Sequence, residues 1–143
     1  MKKILFLCTG NSCRSQMAEG WANTLLRHNY KAFSAGINPG TVDPRAVKVM
    51  AEARVDISGH RSKHLSEFKD IAFDLVVTVC DKAHESCPVW FGKAKKLHQS
   101  FEDPPFLAKN AKTEEEALAH YRRVRDEIRE FVKKLPETLE EPK

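Results

Sequence analysis

Short apolar runs alternate with longer amphipathic stretches along the whole chain. Apolar runs at residues 4–7 and 73–79 predict two buried strands, and weaker patterns at residues 30–35 and 95–100 predict two more. Between them, apolar side chains recur at helical spacing over residues 14–28, 44–53 and 113–135, and a short helix is expected around residues 65–68. This alternation predicts an α/β protein with three αβα layers and a four-stranded parallel sheet in the strand order 2-1-3-4.

The helix boundaries follow from capping residues. Asp43 followed by Pro44 is typical of a helix start, and Thr113 with Glu116 forms a capping-box pattern. The last helix is expected to end before Pro136, because proline disfavours the helical conformation of the preceding residue. We therefore expect a single domain over residues 1–136, which would carry any catalytic site, and a frayed tail at residues 137–143.

Composition and charge exclude several classes of protein. Hydrophobic residues make up 41% of the 143 positions and charged residues 31%, as in soluble globular proteins. No apolar run approaches the roughly 20 residues of a membrane-spanning helix, and the start of the chain does not fit a signal peptide. The net charge of +4 is scattered, which argues against nucleic acid as a partner and suits attraction of a small anion. We therefore expect a cytoplasmic protein without membrane contact. We also expect a monomer, because no surplus apolar stripe is evident.

The loop between the first predicted strand and the first predicted helix carries the strongest functional pattern. Small residues at a helix start leave several backbone N–H groups converging on one point, which suits an oxyanion. Arg14 is positioned to add a two-pronged cationic contact to that oxyanion. Cys8 is the candidate nucleophile, although a cysteine at a strand end can also be an inert core thiol. The candidate oxyanion-binding residues are Thr9, Gly10, Asn11, Ser12, Cys13, Arg14 and Ser15.

A nucleophilic cysteine requires a pKa below the usual value of about 8.5. The helix terminus contributes about 0.3–1 kcal/mol, less than the 1.36 kcal/mol or so of one pKa unit. We therefore expect direct N–H and hydroxyl donors to lower the pKa of Cys8, with Ser15 either as such a donor or as an ordinary helix cap. Cys13 is interpreted as a packing residue near the helix start rather than as a second nucleophile.

Cys80 and Cys87 form a second pattern, since Cys80 directly follows the third predicted strand. Their spacing does not match the close pairs of structural zinc sites, and no metal or cofactor is assigned. In a regular helix seven residues advance about 10.5 Å, whereas a disulfide requires α-carbons roughly 4.4–6.8 Å apart. A Cys80–Cys87 disulfide would therefore force the segment to unwind, which Pro88 and Gly92 would ease. The alternative is a pair of unrelated packing thiols.

Asp103 precedes Pro104 just past the fourth predicted strand. Ligands bind parallel sheets beyond the carboxyl ends of the strands, where the strand order switches, so the loop, Cys80 and Asp103 should gather in one crevice. Asp103 is there a candidate general acid that protonates a leaving oxygen, or alternatively a turn residue.

On these residues the chain resembles arsenate reductases of the thioredoxin-coupled type, which share the low-molecular-weight protein tyrosine phosphatase fold. The resemblance covers nearly the whole chain and is carried by residues 8–20, 34–36 and 74–80, by Cys87 with Pro88, and by Asp103 with Pro104. The loop is shared with the phosphatases, whereas the added cysteine pair is specific to the reductases.

The resemblance implies that Cys8 attacks the arsenic of arsenate, while Arg14 and the loop amides hold the oxyanion and Asp103 protonates the departing hydroxyl. Cys80 then attacks Cys8 and releases arsenite, and Cys87 attacks Cys80 to leave a disulfide that thioredoxin reduces. Two alternatives remain open. One is a low-molecular-weight protein tyrosine phosphatase acting on phosphate esters, and the other is a non-enzymatic anion or redox sensor.

Two further comparisons with the family bear on these alternatives. Phosphatases of this fold usually carry tyrosines after their Asp-Pro, whereas Pro105 and Phe106 stand here, which weakens that activity. Some relatives also bind a potassium ion beside the loop through residues that match Asn11, Glu19 and Ser34. The same side chains suit a hydrogen-bond network, so no metal is assigned.

Overall fold

The fold is taken from a computed structural model, which describes residues 1–80 and 94–140. Within these ranges the strands are β1 (Lys2–Cys8), β2 (Tyr30–Gly36), β3 (Leu75–Thr78) and β4 (Lys95–His98). The α-helices are α1 (Arg14–Leu25), α2 (Pro44–Glu52), α3 (Pro104–Ala108) and α4 (Glu114–Glu140), and a 3-10 helix spans Leu65–Phe68. None of the helices in the described ranges is long and apolar enough to cross a membrane.

The strands form one parallel sheet in the order β2-β1-β3-β4. In the register of β1, Leu5 lies between Phe33 of β2 and Val76 of β3. The predicted fold class, the parallel sheet and the strand order 2-1-3-4 are confirmed. Because β1 is flanked by a strand on each side, the loop that follows Cys8 starts at the middle of the carboxyl edge of the sheet.

The core is built on this central strand and on two helices. Ile4, Leu5 and Phe6 of β1 are fully buried, as are Met17 of α1 and Ile128 of α4. Burying a large aliphatic or aromatic side chain stabilises the fold by about 1.5–3 kcal/mol. Since α4 packs against α1, α2 and α3, it supports every helix that borders the loop.

The predicted helix starts are confirmed, but one predicted helix end is wrong. The Asp43 carboxylate caps α2 by accepting a 2.9 Å hydrogen bond from the Arg45 amide, and the Thr113 hydroxyl accepts one of 3.1 Å from the Glu116 amide. The helix α4 continues through Pro136 to Glu140 instead of ending before the proline.

Two contacts explain why the helix continues past Pro136. Leu135 is 1% exposed and anchors this turn in the core. The Lys95 ammonium donates a 2.8 Å hydrogen bond to the carbonyl of Thr138, which satisfies one of the acceptors near the helix end. The division into a domain over residues 1–136 and a tail stays a prediction, with residues 141–143 outside the described ranges.

Candidate active site

The loop of residues 9–13 connects β1 to α1 and is held from outside through its carbonyl groups. Backbone amides of residues 37–43 donate to these carbonyls at 2.8–3.3 Å, the pairs being Ile37 to Cys8, Asn38 to Thr9, Gly40 to Gly10 and Asp43 to Ser12. Because the carbonyls bond outward, the peptide N–H groups face the opposite side. The four amides from Gly10 to Cys13 donate no hydrogen bond to any other described residue, so they are available to an anion, and the anion-binding role of the loop stays a prediction.

Asn11 fixes the middle of the loop in an unusual conformation. Its φ of +50° lies in the left-handed region, which asparagine tolerates better than most residues. The Asn11 side chain accepts hydrogen bonds from the Gln16 amide group and the Lys63 backbone N–H, each at 3.0 Å, and donates one of 2.8 Å to the Ser15 hydroxyl. Since Ser15 accepts this bond, its own hydrogen is left for a second acceptor.

Residues 60–63 clamp the loop from the far side, and the sequence interpretation gave them no role. His60 Nδ1 lies 3.0 Å from Gln16 Oε1, and the Ser62 hydroxyl donates to the Asn11 carbonyl at 2.7 Å. Gln16 itself donates to the carbonyls of Asn11 and Arg61. No local pattern predicts the contacts of His60, Arg61 and Ser62, because these residues lie more than 40 positions from Asn11 and Gln16.

A partly buried carboxylate, Glu19, lies beside this clamp. It accepts a 2.6 Å hydrogen bond from Ser34, and His60 Nε2 and Lys63 Nζ approach it at 3.7 and 3.9 Å. Burial lowers the pKa of Lys63. The contacts match the hydrogen-bond network that the sequence left as the alternative to an ion site. Among the described residues, no group of three or more His, Cys, Asp or Glu side chains is arranged to hold a metal ion.

The Arg14 guanidinium is held by two residues from the segment after β4. Nη1 donates a 2.9 Å hydrogen bond to the carbonyl of Phe101, and Nη2 lies 3.7 Å from Asp103 Oδ1. Nε is buried and has no hydrogen-bond partner in the described part of the chain. A buried donor without a partner is costly, and an oxyanion held by the loop would satisfy it. The structure thus brings Arg14 and Asp103 together beside the loop.

Cys80 lies two residues past β3, and its thiol is in contact with the loop. It is 5% exposed and lies 3.2 Å from the hydroxyl oxygen of Thr9, and it is close enough to the Cys8 thiol to raise the pKa of Cys8. The other member of the predicted pair, Cys87, lies outside the described residues. The convergence of Cys8 and Cys80 at one edge of the sheet follows the rule for parallel sheets.

The pKa of Cys8 is shifted in the direction opposite to the sequence prediction. The hydrogen bond with Cys80 and burial raise it well above its ordinary value, and they outweigh Arg14 and the Thr9 amide, which lower it. The predicted lowering is therefore wrong for this arrangement, because the second thiol and the 4% exposure of Cys8 were not known. Burial, followed by the charges of Asp43 and Asp103, raises the pKa of Cys13, which is buried as a packing residue would be.

Comparison with known proteins agrees with this geometry. A family model described as low molecular weight phosphotyrosine protein phosphatase matches residues 3–143. An arsenate reductase of Bacillus licheniformis is 48% identical over 139 residues, covering 97% of this chain and 98% of that protein. A solved arsenate reductase in the phosphate binding state has a TM-score of 0.82 at 33% identity, covering 97% of this chain and 99% of that one. A low molecular weight protein tyrosine phosphatase from T. tengcongensis has a TM-score of 0.75 at 30% identity, with 96% and 99% covered. The chain therefore belongs to the low molecular weight phosphotyrosine protein phosphatase family.

Proposed function

We propose that the protein is an arsenate reductase that converts arsenate to arsenite through Cys8, Cys80 and Cys87. The observation that carries the proposal is the position of the Cys80 thiol, which lies 3.2 Å from the Thr9 hydroxyl oxygen and close enough to Cys8 to raise the pKa of that thiol. Hydrolysis of a phosphate ester requires one nucleophilic sulfur, whereas reduction of arsenate requires a second thiol that reaches the first. The B. licheniformis relative and the solved structure with the TM-score of 0.82 both carry the name arsenate reductase.

In the first step the Cys8 thiolate attacks arsenic, a sulfur–arsenic bond forms and an arsenic–oxygen bond breaks. The departing oxygen leaves as water after taking a proton from Asp103, whose carboxyl lies 3.7 Å from Arg14. Arg14 and the loop amides hold the remaining oxygens. Arg14 and the Thr9 amide are also the groups that favour the attacking thiolate of Cys8.

In the second step the Cys80 thiolate attacks the sulfur of Cys8. A disulfide forms between them, the sulfur–arsenic bond breaks, and its electron pair stays on arsenic, which leaves as arsenite. Two thiols have then lost two electrons and arsenic has gained two. The Thr9 hydroxyl, 3.2 Å from the Cys80 sulfur, is placed to stabilise that thiolate by donating to it.

In the third step Cys87 attacks the sulfur of Cys80, which restores the Cys8 thiolate and leaves a Cys80–Cys87 disulfide. We propose that a thioredoxin reduces this disulfide, that the protein works as a monomer, and that it works in the cytoplasm, where thiols are kept reduced. No cofactor takes part in the proposed reaction, because the electrons come from the thioredoxin dithiol.

The test follows arsenate-dependent NADPH consumption coupled through thioredoxin and thioredoxin reductase. Cys80→Ser should release no arsenite, and Cys87→Ser should complete a single turnover and accumulate a Cys8–Cys80 disulfide, identified by peptide mass spectrometry. Ser86→Ala changes the residue beside Cys87 without removing a thiol and should turn over like the wild type. Sustained turnover by Cys87→Ser with thioredoxin as sole reductant would refute the relay. Faster turnover with a glutaredoxin system would refute the choice of partner.

Phosphate ester hydrolysis is the second candidate, and one observation favours it. Phe106, three residues after the proposed acid, is 64% exposed, so an aromatic ring is available for an aryl ester. If hydrolysis is a genuine activity, Cys80→Ser should retain cleavage of p-nitrophenyl phosphate, because only Cys8, Arg14 and Asp103 are needed. A wild-type protein that reduces arsenate but cleaves no phosphate ester would remove this candidate.

A further inference from the structure

Phe101 connects three parts of the candidate active site. Its backbone N–H donates a 3.2 Å hydrogen bond to the carbonyl of Val79, the residue before Cys80. Its carbonyl accepts the 2.9 Å hydrogen bond from Arg14 Nη1. Its ring packs edge to face on Phe131 of α4, with the ring centroids 5.7 Å apart and the planes at 71°. The position of this one residue therefore affects both the arginine and the strand end that carries Cys80.

The bond to Phe101 determines which edge of the guanidinium is available. Nε and Nη2 lie on one edge and can grip two oxygens of an oxyanion in parallel, while Nη1 points away from that edge. Because Nη1 is held by the Phe101 carbonyl, the bidentate edge cannot rotate away without losing a hydrogen bond. The buried, unpartnered Nε lies on this edge.

The ring of Phe101 has room to move if Phe131 does not hold it. Phe101 and Phe131 both line an open groove of about 760 Å³ between the end of β4 and α4. Edge-to-face aromatic pairs contribute about 0.5–1.5 kcal/mol beyond the area that they bury. Removing the Phe131 ring therefore leaves Phe101 beside open space, and a shift of the Phe101 backbone carries the carbonyl away from Arg14.

We propose that Phe131 is a positioning residue for oxyanion binding, which acts through the ring and the carbonyl of Phe101 to aim the Nε–Nη2 edge of Arg14 at the anion loop. The proposal rests on the proposed oxyanion site and adds Phe131, a residue of α4 that lies far from the loop in the sequence. It does not depend on the later thiol steps, so it can be tested with inorganic phosphate alone.

The test measures the phosphate affinity of the reduced full-length protein by calorimetry, together with the NMR signal of the Arg14 Nε–H group. That signal is assigned by its loss in Arg14→Lys. We expect Phe131→Ala to weaken phosphate binding about three- to tenfold, the equivalent of one hydrogen bond, and to speed hydrogen exchange of Arg14 Nε–H. Phe131→Leu, which retains most of the volume but not the aromatic edge, should give a smaller change in the same direction.

The matched control is Phe68→Ala, which removes a ring that packs edge to face on Phe33 at 5.4 Å near the opposite edge of the sheet. It should lower stability while leaving the phosphate affinity and the Arg14 signal as in the wild type. If the folded Phe131 variants bind phosphate with wild-type affinity and show an unchanged Arg14 signal, the inference is wrong and the oxyanion site stands. If the wild-type protein binds no phosphate, both the oxyanion site and the inference are refuted.

Discussion

Replacing Gly36 with alanine tests whether β2 and the anion loop are in direct backbone contact. A β-carbon at this position would lie 2.7 Å from the Thr9 carbonyl oxygen and 3.0 Å from the Asn11 backbone nitrogen. Both neighbours are backbone atoms of the loop, so no side chain can rotate aside to relieve the overlap. The loop or the end of β2 has to move instead.

The size of the movement follows from these distances. Ordinary contacts begin near 3.4 Å, so the Thr9 carbonyl has to move by about 0.7 Å, the shortfall from the 2.7 Å contact. Inserting a methyl group into a packed site costs about 1–3 kcal/mol, and a displacement near 1 Å in a catalytic geometry can cost about 10²-fold in rate. We expect Gly36→Ala to weaken phosphate binding at least about tenfold and to lower arsenate reduction by about 10²-fold.

Two other glycines provide controls for this variant. At Gly40 a β-carbon would meet nothing within 4 Å, so Gly40→Ala should behave like the wild type. At Gly20 it would lie 2.7 Å from the Ile57 side chain, so Gly20→Ala disturbs the core without touching the loop. Urea unfolding reports the stability of all three variants, and calorimetry reports their phosphate affinity. If Gly36→Ala loses only stability and keeps its phosphate affinity, as expected for Gly20→Ala, the reasoning about the loop is wrong.

Three further predictions use single contacts of the site. Cys80→Ala removes the largest cause of the raised pKa of Cys8, so the pH profile of Cys8 alkylation by iodoacetamide should move to lower pH, and an unchanged profile would contradict the assignment. Thr9→Val removes the hydroxyl beside Cys80. It should slow formation of the Cys8–Cys80 disulfide about three- to tenfold, followed by single-turnover mass spectrometry, and leave the phosphate affinity unchanged. An unaltered rate would show that the hydroxyl does not stabilise the Cys80 thiolate. Tyr121→Phe removes the hydrogen bond from the phenol to the Asp43 carboxylate and should lower the free energy of unfolding by about 1.5–3 kcal/mol, measured in urea. An unchanged midpoint of urea unfolding would contradict this prediction.

The strands and their order were accessible from the sequence because each strand has a local signature. The run of residues 75–78 is aliphatic or β-branched at every position, as is typical of a strand buried on both faces, and all four residues are buried. The end of α4 was not accessible in the same way. A proline signals a helix end locally, but the anchoring of Leu135 and the bond from Lys95 to Thr138 come from distant parts of the chain.

The candidate site also contains residues that local sequence patterns predict and residues that they do not. The loop, Cys80 and Asp103 could be placed together because each follows a strand end, and parallel strands bring those ends to one edge. The clamp of His60 and Ser62 on Asn11 and Gln16 could not, because turn residues far along the chain carry no signal of what they contact. The direction of the Cys8 pKa shift was missed for a related reason, since it depends on burial and on one neighbouring thiol.

The outward hydrogen bonds of the loop carbonyls have a consequence for how new activities arise in this family. Backbone amides of residues 37, 38, 40 and 43 bond the carbonyls of residues 8, 9, 10 and 12, so the fold itself orders the loop and binding has less ordering to complete. A cradle that is already assembled accepts tetrahedral oxyanions of similar size and charge, and does not itself choose between phosphorus and arsenic. We expect that choice to depend on residues beside the loop, such as Cys80, which lies two residues past β3. We therefore expect a phosphatase and a reductase of this fold to differ at a few positions beside the loop while the loop itself stays unchanged.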